Sequence, residues 1–145
     1  MIMIRLSRPS DVPRLFDIWR DAVTATHDFL AAEDFEFISG MVRQSYLPEA
    51  VLHVVVDASD RPLAFMGLDG DKVDTLFVDP AHHGAGLGRA LIETARARGI
   101  PLKVDVNEQN TRAIGFYERL GFRLAGRSET DSAGMPYPLL HLSEV

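Results

Sequence analysis

Apolar residues change their spacing several times along this chain, and each change marks an element. Residues 1–6 read as a strand. Val12, Leu15, Phe16, Trp19 and Val23 then recur at helical spacing, with Ser10 or Asp11 as N-cap and Pro13 in the first turn. Residues 24–32 link this helix to a second over about 33–46. Its apolar stripe is Phe35, Ile38, Met41, Val42 and Tyr46, and Leu47-Pro48 ends it. Residues 51–57 and 63–68 read as paired strands. Asp69-Gly70 is a hairpin signal into a third strand over 72–78.

After Asp79-Pro80 the period becomes helical again. Leu87, Leu91 and Ala95 stand four apart, with Ala90 and Thr94 beside them, and Gly99 and Pro101 close the helix. This helix, over 86–98, crosses to a strand at 101–106, a βαβ unit that implies a parallel neighbour for the third meander strand. A helix over 110–120 carries Ala113, Phe116, Tyr117 and Leu120 on one side, with Gly121 as its cap. Strands at 122–127 and 137–142 follow, joined by a turn-rich stretch. The element order is β-α-α-β-β-β-α-β-α-β-β, a mixed α/β chain.

Composition narrows the class. The 145 residues are 46% hydrophobic, which suits one packed domain over 1–145. No stretch approaches the ~20 apolar residues of a membrane span, and no secretion signal is evident. Without cysteine there is no disulfide or thiol chemistry. These features lead to the expectation of a cytoplasmic protein without a membrane partner. The net charge of −6 argues against nucleic acid as a partner and suits a cationic amine.

The densest chemical signal is the turn before the helix at 86–98, with glycines at 84, 86 and 88. A helix start presents unpaired N–H groups and the positive end of a dipole, and residues without side chains let an anion approach them. Phosphate or pyrophosphate is the usual ligand of such a place. Arg89 adds a cation in the first turn. The phosphate-loop pattern is absent because no lysine follows Gly88, and the spacing GxGxG does not meet the dinucleotide fingerprint.

His83-Gly84-Ala85-Gly86-Leu87-Gly88 resembles the acetyl-CoA motif Q/R-x-x-G-x-G/A of the GNAT superfamily of N-acetyltransferases, with His83 in place of the glutamine or arginine. A second stretch, from Asn110 through Ala113, Phe116 and Tyr117 to Gly121-Phe122, resembles that superfamily's N-x-x-A-x-x-F-Y-x-x-x-G-F segment. With HDFL at 27–30, VNEQN at 106–110 and GRSE…PYPLL at 126–140, the chain as a whole is similar to the enterobacterial YjaB-type members. The resemblance implies the GNAT acyl-CoA N-acyltransferase fold. That fold is α/β (α+β), with a mixed, mostly antiparallel seven-stranded sheet splayed between strands 4 and 5 and about four helices. It also implies direct transfer of an acetyl group from acetyl-CoA, as cosubstrate without metal, to a primary amine. Protein lysine or an N-terminal amine is the first choice of acceptor. A small-molecule amine and a non-catalytic acyl-CoA-binding sensor are the alternatives, and monomer or homodimer are both open.

Site residues follow from the same resemblance. The backbone around Leu76, Phe77 and Val78 pairs with the pantetheine arm and thioester. His83, Gly84, Ala85, Gly86, Leu87, Gly88 and Arg89 take the diphosphate. Asn110 caps its helix and contacts pantetheine. Tyr117 touches the cofactor and is the candidate general acid, because a phenol with pKa ~10 can donate to a departing thiolate. Asp105 is the candidate base, at the place where some ribosomal-protein acetyltransferases carry a glutamate, with Asp74 as its rival. Tyr137 is a second tyrosine on the acetyl or acceptor side. His27 and Phe29 with Asp74 are substrate-side candidates. His82 and His83 lack the spaced companions a metal site needs, so no metal is expected.

Overall fold

The computed structural model describes Ile2 to Glu144. Its strands and helices, in chain order, are β1 (Met3–Leu6), α1 (Val12–Thr26), α2 (Ala32–Met41), β2 (His53–Val56), β3 (Pro62–Asp69), β4 (Lys72–Val78), α3 (Leu87–Arg96), β5 (Lys103–Asn107), α4 (Thr111–Arg119), β6 (Arg123–Ser128) and β7 (Leu139–Ser143). The seven strands are hydrogen-bonded in the order β1-β2-β3-β4-β5-β7-β6. The expected order of elements is present. Met1, which opens the expected first strand, lies outside the described residues.

The chain groups into two compact units: residues up to Gly67 with Thr75–Glu93, and Leu68–Asp74 with Thr94 onward. In the first unit α1 lays its apolar stripe on the sheet. Leu15, Phe16, Ile18, Trp19 and Val23 are buried with Leu47, Leu52, Val54, Val56 and Phe65. Ile18 and Ala22 join the stripe expected from the sequence. Trp19 stacks between Phe16 and Phe35, at 5.8 and 5.7 Å between ring centroids, and is a core residue. Asp11 precedes α1 as expected, but its carboxylate does not cap that helix. It accepts from the Arg8 N–H at 2.7 Å and forms a fork with Arg5 at 2.8 and 3.0 Å. The guanidinium and the Arg8 N–H hold Asp11 below the usual carboxylate range despite its burial.

The second helix differs from expectation in one respect. α2 passes into a π-helical turn, Val42–Tyr46, with Leu47 N–H reaching the Val42 carbonyl at 2.9 Å. The wider turn changes the direction of the residues behind it. Tyr46 stays packed on the core, whereas Met41, placed on the stripe by its spacing, is exposed.

The second unit holds the parallel contact. β4 and β5 pair at Lys72↔Lys103 and Val73↔Val104, as expected for strands that part beyond their first residues. β7 lies antiparallel between β5 and β6. Leu102, Val104, Val106, Tyr117, Phe122 and Leu142 are buried. Arg96 binds Glu144 at 2.7 Å and the Leu120 carbonyl, and its guanidinium lies over the Phe122 ring.

Candidate functional site

The first unit supplies the glycine turn. A register shift where Val56 pairs with Pro62 removes Leu63 from the β2 ladder, and the Leu63 carbonyl accepts the Asp79 N–H at 2.9 Å. That bond fixes the end of β4. The Asp79 carboxylate accepts from the Ala81 N–H at 3.0 Å and from Arg14 at 2.6 Å, so a short 3₁₀ turn, Pro80–His82, leaves the strand in one direction. Burial pushes the Asp79 carboxyl upward, but Arg14 and the Ala81 N–H outweigh it and hold it below its ordinary value.

His83, Gly84, Ala85 and Gly86 are exposed. Gly84 and Gly86 have φ of +81° and +79°, and no heavy atom lies within 4 Å of where a Cβ would stand. Side-chain crowding therefore does not require these glycines. The left-handed backbone requires them, and the open space in front suits a ligand approaching main-chain donors. Ala90 N–H to Gly86 carbonyl, at 3.0 Å, is the first rung of α3, so the N–H groups of Leu87, Gly88 and Arg89 precede the ladder. The arrangement fits a diphosphate. Arg89 is exposed in this first turn.

Leu76, Phe77 and Val78 end β4, with Phe77 packed on Phe65 at 5.6 Å. Just before them the Thr75 hydroxyl accepts the Gly67 N–H at 3.0 Å and bonds the Tyr46 hydroxyl at 2.8 Å. His27 and Phe29 lie between α1 and α2 with ring centroids 5.2 Å apart. Thr26 donates its hydroxyl to the Ala22 carbonyl and meets His27 Nδ1 at 2.7 Å. Burial lowers the His27 pKa, with Asp28 opposing weakly.

The second unit carries the ionisable groups. Asn110 accepts from the Ala113 N–H at 3.1 Å and caps α4 as expected. The other end of α4 explains Tyr117. Gly121, at φ +99°, lets its own N–H reach Glu118 at 3.0 Å and the Phe122 N–H reach Tyr117 at 3.1 Å. This is the paired closure that ends many helices, with the usual apolar contact between its first and last members. Tyr117 meets Phe122 edge-on at 5.3 Å and Phe116 at 5.1 Å. Burial pushes its phenol far above the ordinary tyrosine value, so it keeps its proton throughout the neutral range.

Asp105 is half-buried on β5, opposite His141 on β7. Its Oδ1 lies 2.6 Å from His141 Nδ1 and its Oδ2 2.5 Å from Lys72 Nζ. Burial raises the carboxyl, and Lys72 and His141 more than offset that, leaving it ionised. His141 Nε2 lies 2.7 Å from Ser128 Oγ. Lys72, His141 and Ser128 were not read as site residues from the sequence. The partial signal is a polar residue inside the apolar run Leu139-Leu140-His141-Leu142, but its partners depend on strand order. Asp74 is exposed on β4. Tyr137 is buried, but it precedes β7, which begins only at Leu139, because its N–H turns back to the Met135 carbonyl at 2.8 Å. Asn107 Oδ1, at the end of β5, is buried without a partner among the described residues. Those residues contain no group of three or more His, Cys, Asp or Glu able to hold a metal. None of their helices is long and apolar enough to cross a membrane.

A mixed seven-stranded sheet with a glycine turn after its fourth strand and a tyrosine helix after its fifth defines an acyl-CoA-dependent transferase. The acetyltransferase (GNAT) domain family matches residues 27–124. The chain belongs to this family and is an N-acetyltransferase; the family uses acetyl-CoA. It is 48% identical to peptidyl-lysine N-acetyltransferase YjaB of Escherichia coli, over 100% of this chain and 98% of that protein. The solution structure of the apo form of E. coli YjaB superposes with a TM-score of 0.94 at 48% identity, covering 100% of this chain and 98% of that one. An L-methionine sulfoximine/L-methionine sulfone acetyltransferase of Pseudomonas paraeruginosa is 30% identical over 86% of this chain and 81% of its own length.

Proposed function

We propose that the chain transfers acetyl from acetyl-CoA directly to the side-chain amine of lysine in proteins, in the cytoplasm. The observation that carries this reading is full-length similarity at 48% identity to a peptidyl-lysine acetyltransferase. The N–H groups of residues 84–89, with His83 and Arg89, hold the diphosphate. The main chain of Leu76, Phe77 and Val78 aligns the pantetheine and thioester, and Asn110 adds a side-chain contact. Tyr117 gives its proton to the departing sulfur. Asp105 serves the acceptor amine, and His27, Phe29, Asp74 and Tyr137 border it. No covalent enzyme intermediate forms.

A small amine acceptor is the second reading, favoured by the similarity to the methionine sulfoximine acetyltransferase. Labelled acetyl-CoA offered with lysine peptides and with free amino acids and amines separates the two. The proposal expects the highest kcat/KM on lysine peptides. Turnover confined to small amines would replace it, and no transfer to any amine would overturn both readings.

A further inference from the structure

Four polar side chains form one line across four neighbouring strands. Lys72 on β4 binds Asp105 on β5, Asp105 binds His141 on β7, and His141 binds Ser128 on β6, at 2.5, 2.6 and 2.7 Å. We infer that Ser128, His141 and Asp105 are a proton relay that deprotonates the acceptor ammonium, with Ser128 touching the amine and His141 receiving the proton. The inference rests on the acetyl-transfer reading and replaces direct deprotonation by Asp105.

The direction of the relay follows from the chemistry of each group. Asp105 is ionised and can only accept, so the proton between it and His141 sits on Nδ1. Nε2 then carries a lone pair and accepts the Ser128 O–H. Lys72 and His141 hold the Asp105 carboxyl below its ordinary range, so it is a poor proton acceptor, and an imidazole lone pair is by nature the more basic. The Ser128 oxygen keeps acceptor capacity of its own, and an ammonium can donate to it.

The register places this line. Asp105 pairs with His141, and His141 with Gly126. Two residues along, Asn107 pairs with Leu139, and Leu139 with Ser128. The line therefore runs diagonally, from the Asp105 row to the row that ends β5 and leads into the helix of Tyr117. Ser128 also ends β6, at the start of the connection that carries Tyr137. An extra residue in β6, between Leu124 and Gly126, sets this register. Along β5 the flanking Val104 and Val106 are buried, whereas Asp105 and His141 stay partly open to solvent.

In the step, the ammonium N–H passes its proton to Ser128 Oγ as the Ser128 proton moves to His141 Nε2. The imidazolium so formed is held by the Asp105 carboxylate and later returns its proton to water. The neutral nitrogen forms the N–C bond, the C–S bond breaks, and Tyr117 protonates the sulfur; the second proton that the nitrogen sheds in becoming an amide restores the Tyr117 phenol through water. A general base of this kind is worth on the order of 100-fold or more.

The test compares wild type, His141→Gln and Ser128→Ala on two peptides. One carries lysine, and the other a hydrazide whose nitrogen is already neutral at the assay pH. Each variant should lose about 100-fold in kcat/KM on lysine and only a few-fold on the hydrazide, with KM for acetyl-CoA unchanged. The split between the two peptides reads deprotonation of the acceptor, since only the lysine nitrogen arrives as an ammonium. Ser128→Ala removes one hydroxyl and keeps the test valid if the histidine variant fails to fold. Equal losses on both peptides, or wild-type rates in a folded variant, overturn the relay. Failure of the wild type on every amine would instead overturn the acetyl-transfer reading.

Discussion

Arg14 Nη2 donates to Asp79 Oδ2 at 2.6 Å and so joins the first turn of α1 to the residue that ends β4. Both side chains are mostly shielded from water, at 16% and 14% exposure, so screening weakens this pair less than a surface one. Asp79→Ala removes the pair and the Ala81 cap together. A loss of about 2 kcal/mol in urea unfolding is expected, along with weaker coenzyme A binding by calorimetry. The folded carboxyl titrates below its unfolded value. Its contribution is complete above about pH 4 and is lost as pH falls further, so the variant should show a flatter acid profile there.

Two glycines with equal space around them should respond oppositely. Gly86 has φ +79°, and alanine there should cost about 1–2 kcal/mol and weaken coenzyme A binding. Gly40 sits within α2 with nothing near its missing Cβ, and alanine there should stabilise by about 0.5–1 kcal/mol without touching affinity. Thermal melts with and without coenzyme A read both.

Tyr117→Phe keeps the ring that packs on Phe122 and removes only the hydroxyl. A fall of about 100-fold or more in kcat is expected, with coenzyme A affinity retained. Because burial holds the phenol far above its ordinary value, wild-type activity should show no alkaline loss from tyrosine ionisation up to about pH 10. A decline near pH 9 that Tyr117→Phe abolishes would contradict this.

Gly67 lies beneath the Tyr46 and Thr75 hydroxyls, and a Cβ there would fall inside contact distance of both. Gly67→Ala should destabilise by about 1–3 kcal/mol. Tyr46→Phe in the same chain should recover part of the loss, because one of the two crowding oxygens is gone. A double-mutant cycle by denaturant unfolding measures the coupling.

His27 is partly buried, and that desolvation puts its folded pKa below the unfolded value. Its share of stability is complete above about pH 6.5 and is lost as pH falls through the folded value. Stability measured from pH 7 to pH 5 should fall less steeply in His27→Gln than in the wild type.

The amino-acid order alone determined most of the architecture, because local rules govern those parts. Spacing located α1, α3 and α4, Asp69-Gly70 made the hairpin, glycines at 84 and 86 marked a turn open to an anion, and Gly121 marked a helix end. Asn110 and Gly121 bracket Tyr117 so closely in sequence that its helix was legible with both ends. The π turn at Val42–Tyr46 was not, since it changes which residues face the core without changing their composition. Met41, the last residue of α2 before that turn, is exposed although its spacing put it on the stripe. Tyr137 was assigned to a strand by β propensity, which a local turn at Met135 overrides.

Tertiary structure decided the partners of Asp105. Lys72, His141 and Ser128 are up to 69 residues apart in sequence and meet only because β7 inserts between β5 and β6 and β6 holds one extra residue. Strand order and register are long-range properties, and a shift of one residue sends every side chain to the opposite face. Local spacing carries no record of that choice, which is why the carboxylate was readable from the chain and its proton partners were not.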